Sequence, residues 1–178
     1  PGRHTTVIAG RTVCQVDLAR AMDGTRYCVR VAAETPARIR RAGEHRVAIE
    51  PASGYERITC VIGFSPVPFR EALPTFGETV QASERHWERF WSQGGAVDLG
   101  ESVDPRAGEL ERRIVLSQYL TAIQCAGFLP PQETGLTCNS WYGKFHLEMH
   151  WWHAVHFALW GREELLERSM AWYDSILE

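Results

Sequence analysis

Residues 62–93 read IGFSPVPFREALPTFGETVQASERHWERFWSQ, and within them the chain changes its period. Before this stretch apolar residues recur at every second position, and after it they recur at helical spacing. Ser65-Pro66-Val67-Pro68 marks the break, because proline offers no ladder donor and restricts the residue before it. Residues 74–93 then read as a helix with Thr75 as N-cap. Phe76, Val80, Trp87, Phe90 and Trp91 form its apolar side, and Gly94-Gly95 closes it.

Working back from the break, short runs rich in β-branched and aromatic residues predict strands over 5–9, 12–18, 26–33, 46–50 and 57–64. In the third run Tyr27, Val29 and Val31 fall on one side, with Arg26, Cys28 and Arg30 on the other. Ala9-Gly10, Asp23-Gly24, Ala42-Gly43 and Ser53-Gly54 punctuate the runs, and Asp23-Gly24 is the strongest hairpin signal among them. This half is expected to be antiparallel and sandwich-like.

Working forward, Asp104 and Pro105 open a helix expected to reach residue 126, with Leu110, Ile114, Leu120 and Ile123 as its apolar stripe. A loop over 128–143 carries Pro130-Pro131 and Thr134-Gly135. Helix is expected again over 145–160, stopped by Gly161, and over 162–177. The fold class is therefore α+β, with a β portion over 1–70, a helical linker over 71–102 and a helical portion over 103–178.

Composition narrows the function. The 178 residues are 44% hydrophobic and 23% charged, as in a folded domain and unlike a disordered chain. A net charge of −3 gives no reason to expect nucleic acid or an anionic membrane as partner, and no apolar run is long enough to span a bilayer. The five cysteines are odd in number and form no Cys-x-x-Cys pair, a pattern of scattered core thiols in a reducing, cytoplasmic compartment. No cofactor is implied. A start at Pro1 without an initiator Met reads as a processed or excised piece.

The chemistry concentrates in residues 131–156, PQETGLTCNSWYGKFHLEMHWWHAVH. His146, His150, His153 and His156 lie there beside Trp141, Trp151 and Trp152. On a helical wheel His146, Met149, His150, His153 and Phe157 share one face, while Glu148, Trp152, Val155 and Leu159 share the other. Both faces are largely apolar, so the helix is expected to be enclosed, and Glu148 on it to be paired, protonated or meeting a ligand. Trp87, Trp91, Trp160 and Trp172 are assigned to packing. Two functional readings follow. Trp and Tyr faces can stack on sugar rings while Glu, Lys and His bind hydroxyls. Alternatively, His146, His150 and His153 could hold zinc from one helix face.

Residues 134–162 resemble a group of proteins placed beside glycoside hydrolase family sixty-five, which holds the disaccharide phosphorylases and acid trehalases. The resemblance is carried by QETGLTCNSWYGKFHLEMHWWH at 132–153. The family shows Gly-His-x-Phe-Trp-Asp-Thr-Glu where this chain has Gly143-Lys144-Phe145-His146-Leu147-Glu148-Met149-His150. Gly143 matches the glycine, Glu148 the aspartate that contacts the non-reducing glucosyl unit, and His150 the glutamate; Lys144 and Leu147 depart from the pattern.

The resemblance implies a β-sandwich, a linker helix and the first helices of an (α/α) six-hairpin toroid. It also implies inverting cleavage of an α-glucosyl di- or oligosaccharide, by water or by inorganic phosphate. Hydrolysis of that kind needs two carboxyl groups roughly 6.5–9.5 Å apart, and the family's general acid lies several hairpins beyond this segment. The chain alone is thus expected to be inactive and to bind carbohydrate through Trp141, Tyr142, Lys144, His146, Glu148 and His150. A pair made by Glu133 and Glu148 is the self-contained alternative, a non-catalytic carbohydrate-binding module is another, and open strand edges allow a homo-oligomer.

Overall fold

The computed structural model describes residues 3–134 and 141–177. The chain is mixed α+β and divides into two compact units, Pro1–Arg85 and His86–Glu178.

The first unit holds the strands β1 (His4–Arg11), β2 (Gln15–Met22), β3 (Thr25–Ala33), β4 (Ala37–Arg41), β5 (Val47–Pro51) and β6 (Cys60–Ser65). β1, β2, β3 and β6 form one antiparallel sheet in the order β1-β2-β3-β6, and β4 and β5 form a separate antiparallel ribbon. The Asp23-Gly24 hairpin is present: Met22 pairs with Thr25 across a two-residue loop, and Asp23 takes a left-handed backbone with φ of 53°. Register puts Val16 opposite Val31 and Leu18 opposite Val29, so that one face of the sheet is apolar. These four side chains are buried together with Ile39, and the partly buried Val47 and Ile49 pack against them.

β4 escaped the sequence reading. Its residues, ARIRR, offer only Ala37 and Ile39 as inward groups, and three arginines mask the alternation. Both inward groups are nonetheless buried, while Arg40 reaches across the ribbon to Glu50. β2 also differs from its expected bounds. Residues 12–14 turn the chain, with Thr12 N–H donating to the Gln15 carbonyl, and residues 19–22 continue the strand toward the hairpin because β3 pairs with them.

The other face of the sheet is covered where Arg30 lies. Arg30 donates from Nε and Nη2 to the two Asp17 carboxylate oxygens at 2.7 Å each, and from Nη1 to the Glu71 carbonyl at 2.6 Å. Its guanidinium also lies 5.1 Å from the centre of the Phe69 ring. This bidentate contact holds the Asp17 carboxyl below its usual range. Glycine at 63 permits the covering segment to approach, since a Cβ there would stand 2.6 Å from a Leu73 methyl group.

Helix α1 (Phe76–Ser92) starts with the expected cap. The Thr75 hydroxyl accepts from Glu78 N–H, and the Glu78 carboxylate accepts from Thr75 N–H, which is a capping box. Only the far end of its expected apolar side is covered: Phe90 is buried with Trp87 and Trp91 against it, whereas Phe76 and Val80 are exposed.

The second unit adds α2 (Ala107–Cys125), α3 (Leu147–Leu159) and α4 (Glu163–Asp174). α2 begins two residues later than expected, because Asp104 accepts from Arg106 N–H through its carboxylate and from Ala107 N–H through its carbonyl. Phe90, Cys125, Ala154, Phe157 and Leu165 make the core, with Ala122 and Ala126 against it. The small side chains of α2 therefore face inward. Most of its expected stripe does not: Leu110, Leu120 and Ile123 are exposed, and Ile114 is half-buried.

Arg162 organises this unit. It is 3% exposed, yet no carboxylate among the described residues bonds to it. Its donors go to the Phe90 carbonyl at 2.8 Å, the Gly95 carbonyl at 3.1 Å and the Gln118 side-chain oxygen at 3.0 Å, and its guanidinium lies 4.0 Å from the Phe90 ring centre. Burial holds its pKa below the usual range, with Glu164 working the other way. The end of α1 and the α3–α4 turn meet here, where Gly95 N–H donates to the Trp160 carbonyl at 2.6 Å. A Cβ at Gly94 would stand 2.7 Å from that same oxygen, and Gly94 and Gly161 both take positive φ.

Candidate functional site

Residues on both sides of 135–140 come together ahead of α3. Glu133 N–H donates to the Lys144 carbonyl, and Lys144 N–H donates to the Trp141 carbonyl, each at 3.1 Å. Glu133 also binds by its side chain, its carboxylate accepting from His146 Nδ1–H. These bonds set Glu133, Trp141, Lys144 and His146 beside one another. The Gly135-Leu136-Thr137 part of the motif and Cys138 lie outside the described residues.

The backbone here is strained. Trp141, Tyr142 and Gly143 run consecutively at φ of 50°, 60° and 65°, a left-handed turn that only its glycine adopts at no steric cost. Bulky residues held this way are characteristic of ligand sites, because the surrounding structure must over-determine them. The turn leaves Trp141 60% and Tyr142 90% exposed. The Trp141 and His146 rings stand perpendicular with centres 5.6 Å apart, and Lys144 Nζ lies 5.8 Å from the centre of the Tyr142 ring. A flat aromatic face, an imidazole and an ammonium thus share one small surface.

Beside it is a cleft of about 340 Å³ whose walls include Glu133, Thr134, Trp152, His153 and His156. His153 Nδ1 is buried at this cleft without a hydrogen-bond partner among the described residues, while the His153 carbonyl accepts from His156 Nε2 at 2.7 Å. Burial holds the His156 pKa below its usual range; the bond to the His153 carbonyl opposes this and the His153 charge adds to it. Cys125 lines the same cleft, and burial pushes its thiol up to about 11. It is an apolar wall there and not a nucleophile. Cys14, Cys28 and Cys60 are also free thiols.

Comparison with family models, with curated proteins and with solved structures returned no match.

The remaining predicted residues divide. Glu148 lies in the first turn of α3 and is exposed, so the enclosure expected of this helix is not found. Only the face with His150, Ala154 and Phe157 is buried, and Trp151, Trp152 and Leu159 are exposed along with Glu148. The wheel showed two apolar faces, but this chain supplies cover for one. Its place at the helix N-terminus, open to water, favours an acidic side chain there.

His150 does not join the surface group. It is 4% exposed, and both ring nitrogens are occupied by α4: Nε2 lies 2.8 Å from Ser169 Oγ, and Nδ1 lies 2.8 Å from the Tyr173 hydroxyl. The Ser169 hydroxyl donates to the Leu166 carbonyl, so its oxygen accepts from His150 Nε2–H. Nδ1 of the neutral ring is then bare and accepts from Tyr173. Burial keeps this imidazole below its usual pKa, and the His153 charge reinforces the effect.

That arrangement also bears on the zinc alternative. His150 has no nitrogen left to give, and among the described residues no group of three or more His, Cys, Asp or Glu side chains is placed to hold a metal ion. Sequence reasoning weighed Glu133 only as a partner for Glu148. Its bond to His146 spans thirteen residues of chain, and no periodicity signals a contact of that kind.

Proposed function

We propose that this chain belongs to a six-hairpin glycosidase-like enzyme that cleaves an α-glucosyl di- or oligosaccharide by inverting hydrolysis or phosphorolysis. The observation that carries this reading is the left-handed Trp141–Gly143 turn. It holds two aromatic rings outward beside the Lys144 ammonium and the Glu133–His146 pair. Flat apolar faces next to a few hydrogen-bonding tips match a pyranose, whose C–H groups and hydroxyls alternate around one ring. Glu148 is the third hydroxyl partner by its match to the family aspartate.

The exposed apolar residues of α2 and α3 support the same reading. Leu110, Leu120, Ile123, Trp152 and Leu159 leave helix faces bare that further hairpins of a toroid would cover. The first unit, with Ile39 of its ribbon packed on the four-stranded sheet, is taken as part of the sandwich. By the match to the family pattern the site residues are assigned to holding the glucosyl unit and not to protonating the leaving oxygen. A second reading, a non-catalytic carbohydrate-binding module, is favoured by the exposure of Trp141 and Tyr142, which suits a surface platform.

The deciding experiment incubates the enzyme containing this chain with maltose, trehalose and kojibiose, with and without inorganic phosphate. Release of glucose, or of glucose 1-phosphate when phosphate is present, is expected, and Glu148→Ala is expected to lower kcat/KM at least tenfold. Saturable binding without any product favours the module. Unchanged catalytic efficiency in Glu148→Ala would overturn the role given to that residue.

A further inference from the structure

The Glu133–His146 pair has a polarity that decides what it can bind. An ionised carboxylate offers only acceptors, so the proton in the bond belongs to His146 Nδ1. In the neutral imidazole Nε2 then carries a lone pair and no hydrogen. Glu133 is itself fixed by two contacts on the same side of the loop, its N–H to the Lys144 carbonyl and its carboxylate to His146. The ring thus has one tautomer and one orientation set by a carboxylate. The same device orients metal-bound histidines, but no group of metal ligands exists around it among the described residues.

We propose that Glu133 is a positioning residue which locks His146 as its Nδ1–H tautomer, so that Nε2 accepts the O–H of a sugar hydroxyl seated against Trp141. It rests on the carbohydrate reading of these residues and adds a direction to it: His146 accepts and Lys144, the chain's sole lysine, donates. A hydroxyl can do both at once, which suits a neutral sugar ring with neighbouring hydroxyls on one edge. The perpendicular setting of the Trp141 and His146 rings makes the corner in which a ring stacked on one plane meets the other.

Nitrogen NMR of the full chain tests this directly. Long-range proton–nitrogen spectra at pH 7.5 report which imidazole nitrogen is protonated, and loss of one signal set in His146→Gln assigns it. The expected result is Nδ1–H in the wild type, and a shift toward the Nε2–H form in Glu133→Ala. Glu133→Gln should preserve the wild-type tautomer, because its amide oxygen still accepts from Nδ1–H. Maltose or trehalose should then move the Nε2 resonance, with affinity falling about tenfold in Glu133→Ala and less than threefold in Glu133→Gln.

An Nε2–H tautomer in the wild type, or an unchanged Nδ1–H tautomer in Glu133→Ala, overturns the proposal. The wild-type spectrum decides even if Glu133→Ala fails to fold. If the tautomers behave as expected but neither sugar binds, the acceptor role falls with the carbohydrate reading, and only the orientation of His146 by Glu133 stands.

Discussion

His146 and His150 lie one helical turn apart in sequence, and the structure uses them in opposite ways. His150 is inside the α3–α4 contact with both nitrogens taken by Tyr173 and Ser169. His146 is half-exposed, orients on Glu133 and, among the described residues, keeps one nitrogen uncommitted. The contrast extends to their neighbours. Arg162 and His150 belong to a buried polar framework, whereas Trp141, Tyr142, Lys144 and Glu148 are exposed. A polar, aromatic-rich segment is therefore two populations, one buried in the packing of the helices and one at the surface. Substitutions should separate them cleanly.

The largest effect is expected at Arg162. Removing it leaves the Phe90 and Gly95 carbonyls and the Gln118 side-chain oxygen without their donor in the interior, and takes a cation from the Phe90 ring. Arg162→Ala should cost about 3 kcal/mol or more, because each buried acceptor left unsatisfied carries its own penalty. Urea unfolding followed by tryptophan emission measures it, since every Trp lies at or after residue 87. A loss under 1 kcal/mol would mean that water replaces the guanidinium and that the framework is not rigid.

His150→Ala comes next. It opens a cavity and strips partners from Ser169 and Tyr173, for about 2 kcal/mol. Its affinity for maltose, measured at a temperature where the variant is folded, should match the wild type. Trp141→Ala is the mirror image, with stability within about 0.5 kcal/mol of wild type and affinity lowered about tenfold, as for loss of a stacking face. Either variant showing the other's behaviour would break the division between framework and surface.

How much of this was legible in the sequence depended on whether a signal was local. Thr75 and Glu78 stand three apart, so the cap of α1 could be read directly, and Asp23-Gly24 announced its hairpin in two residues. β4 could not be read because the burial of Ala37 and Ile39 comes from a distant sheet and not from its own arginine-rich pattern. The enclosure assigned to α3 failed for a related reason. Apolar residues on two faces state what a helix can bury, but cover must come from other chain segments, and here Trp151, Trp152 and Leu159 stay largely exposed. Trp141, Lys144 and Glu148 were legible as candidates from residue type, whereas Glu133 was not given its partner, because the bond to His146 closes across a loop.

The smallest effect sharpens the comparison through pH. His150 and His156 both have folded-state pKa values below the usual histidine range, mainly through burial. The groups facing them are His153, Tyr173 and Ser169 and, in the cavities beside His156, Arg113 and the Glu133 carboxylate, which is engaged by His146. An unfolded chain therefore binds protons at these histidines before the folded chain does. Stability from their neutral forms is fully present above about pH 6.5 and declines as pH falls through the unfolded value toward the depressed folded ones. The urea midpoint should be flat between pH 7 and 8 and drop between pH 6.5 and 5. His150→Gln should be less stable at neutral pH yet flatten part of that slope, because the titrating group is gone. His146→Gln, altering the surface member of the pair, should leave most of the slope in place. If instead His146→Gln removes the slope and His150→Gln does not, the proton uptake that accompanies unfolding belongs to the loop, and α3 is not held to α4 by a neutral imidazole.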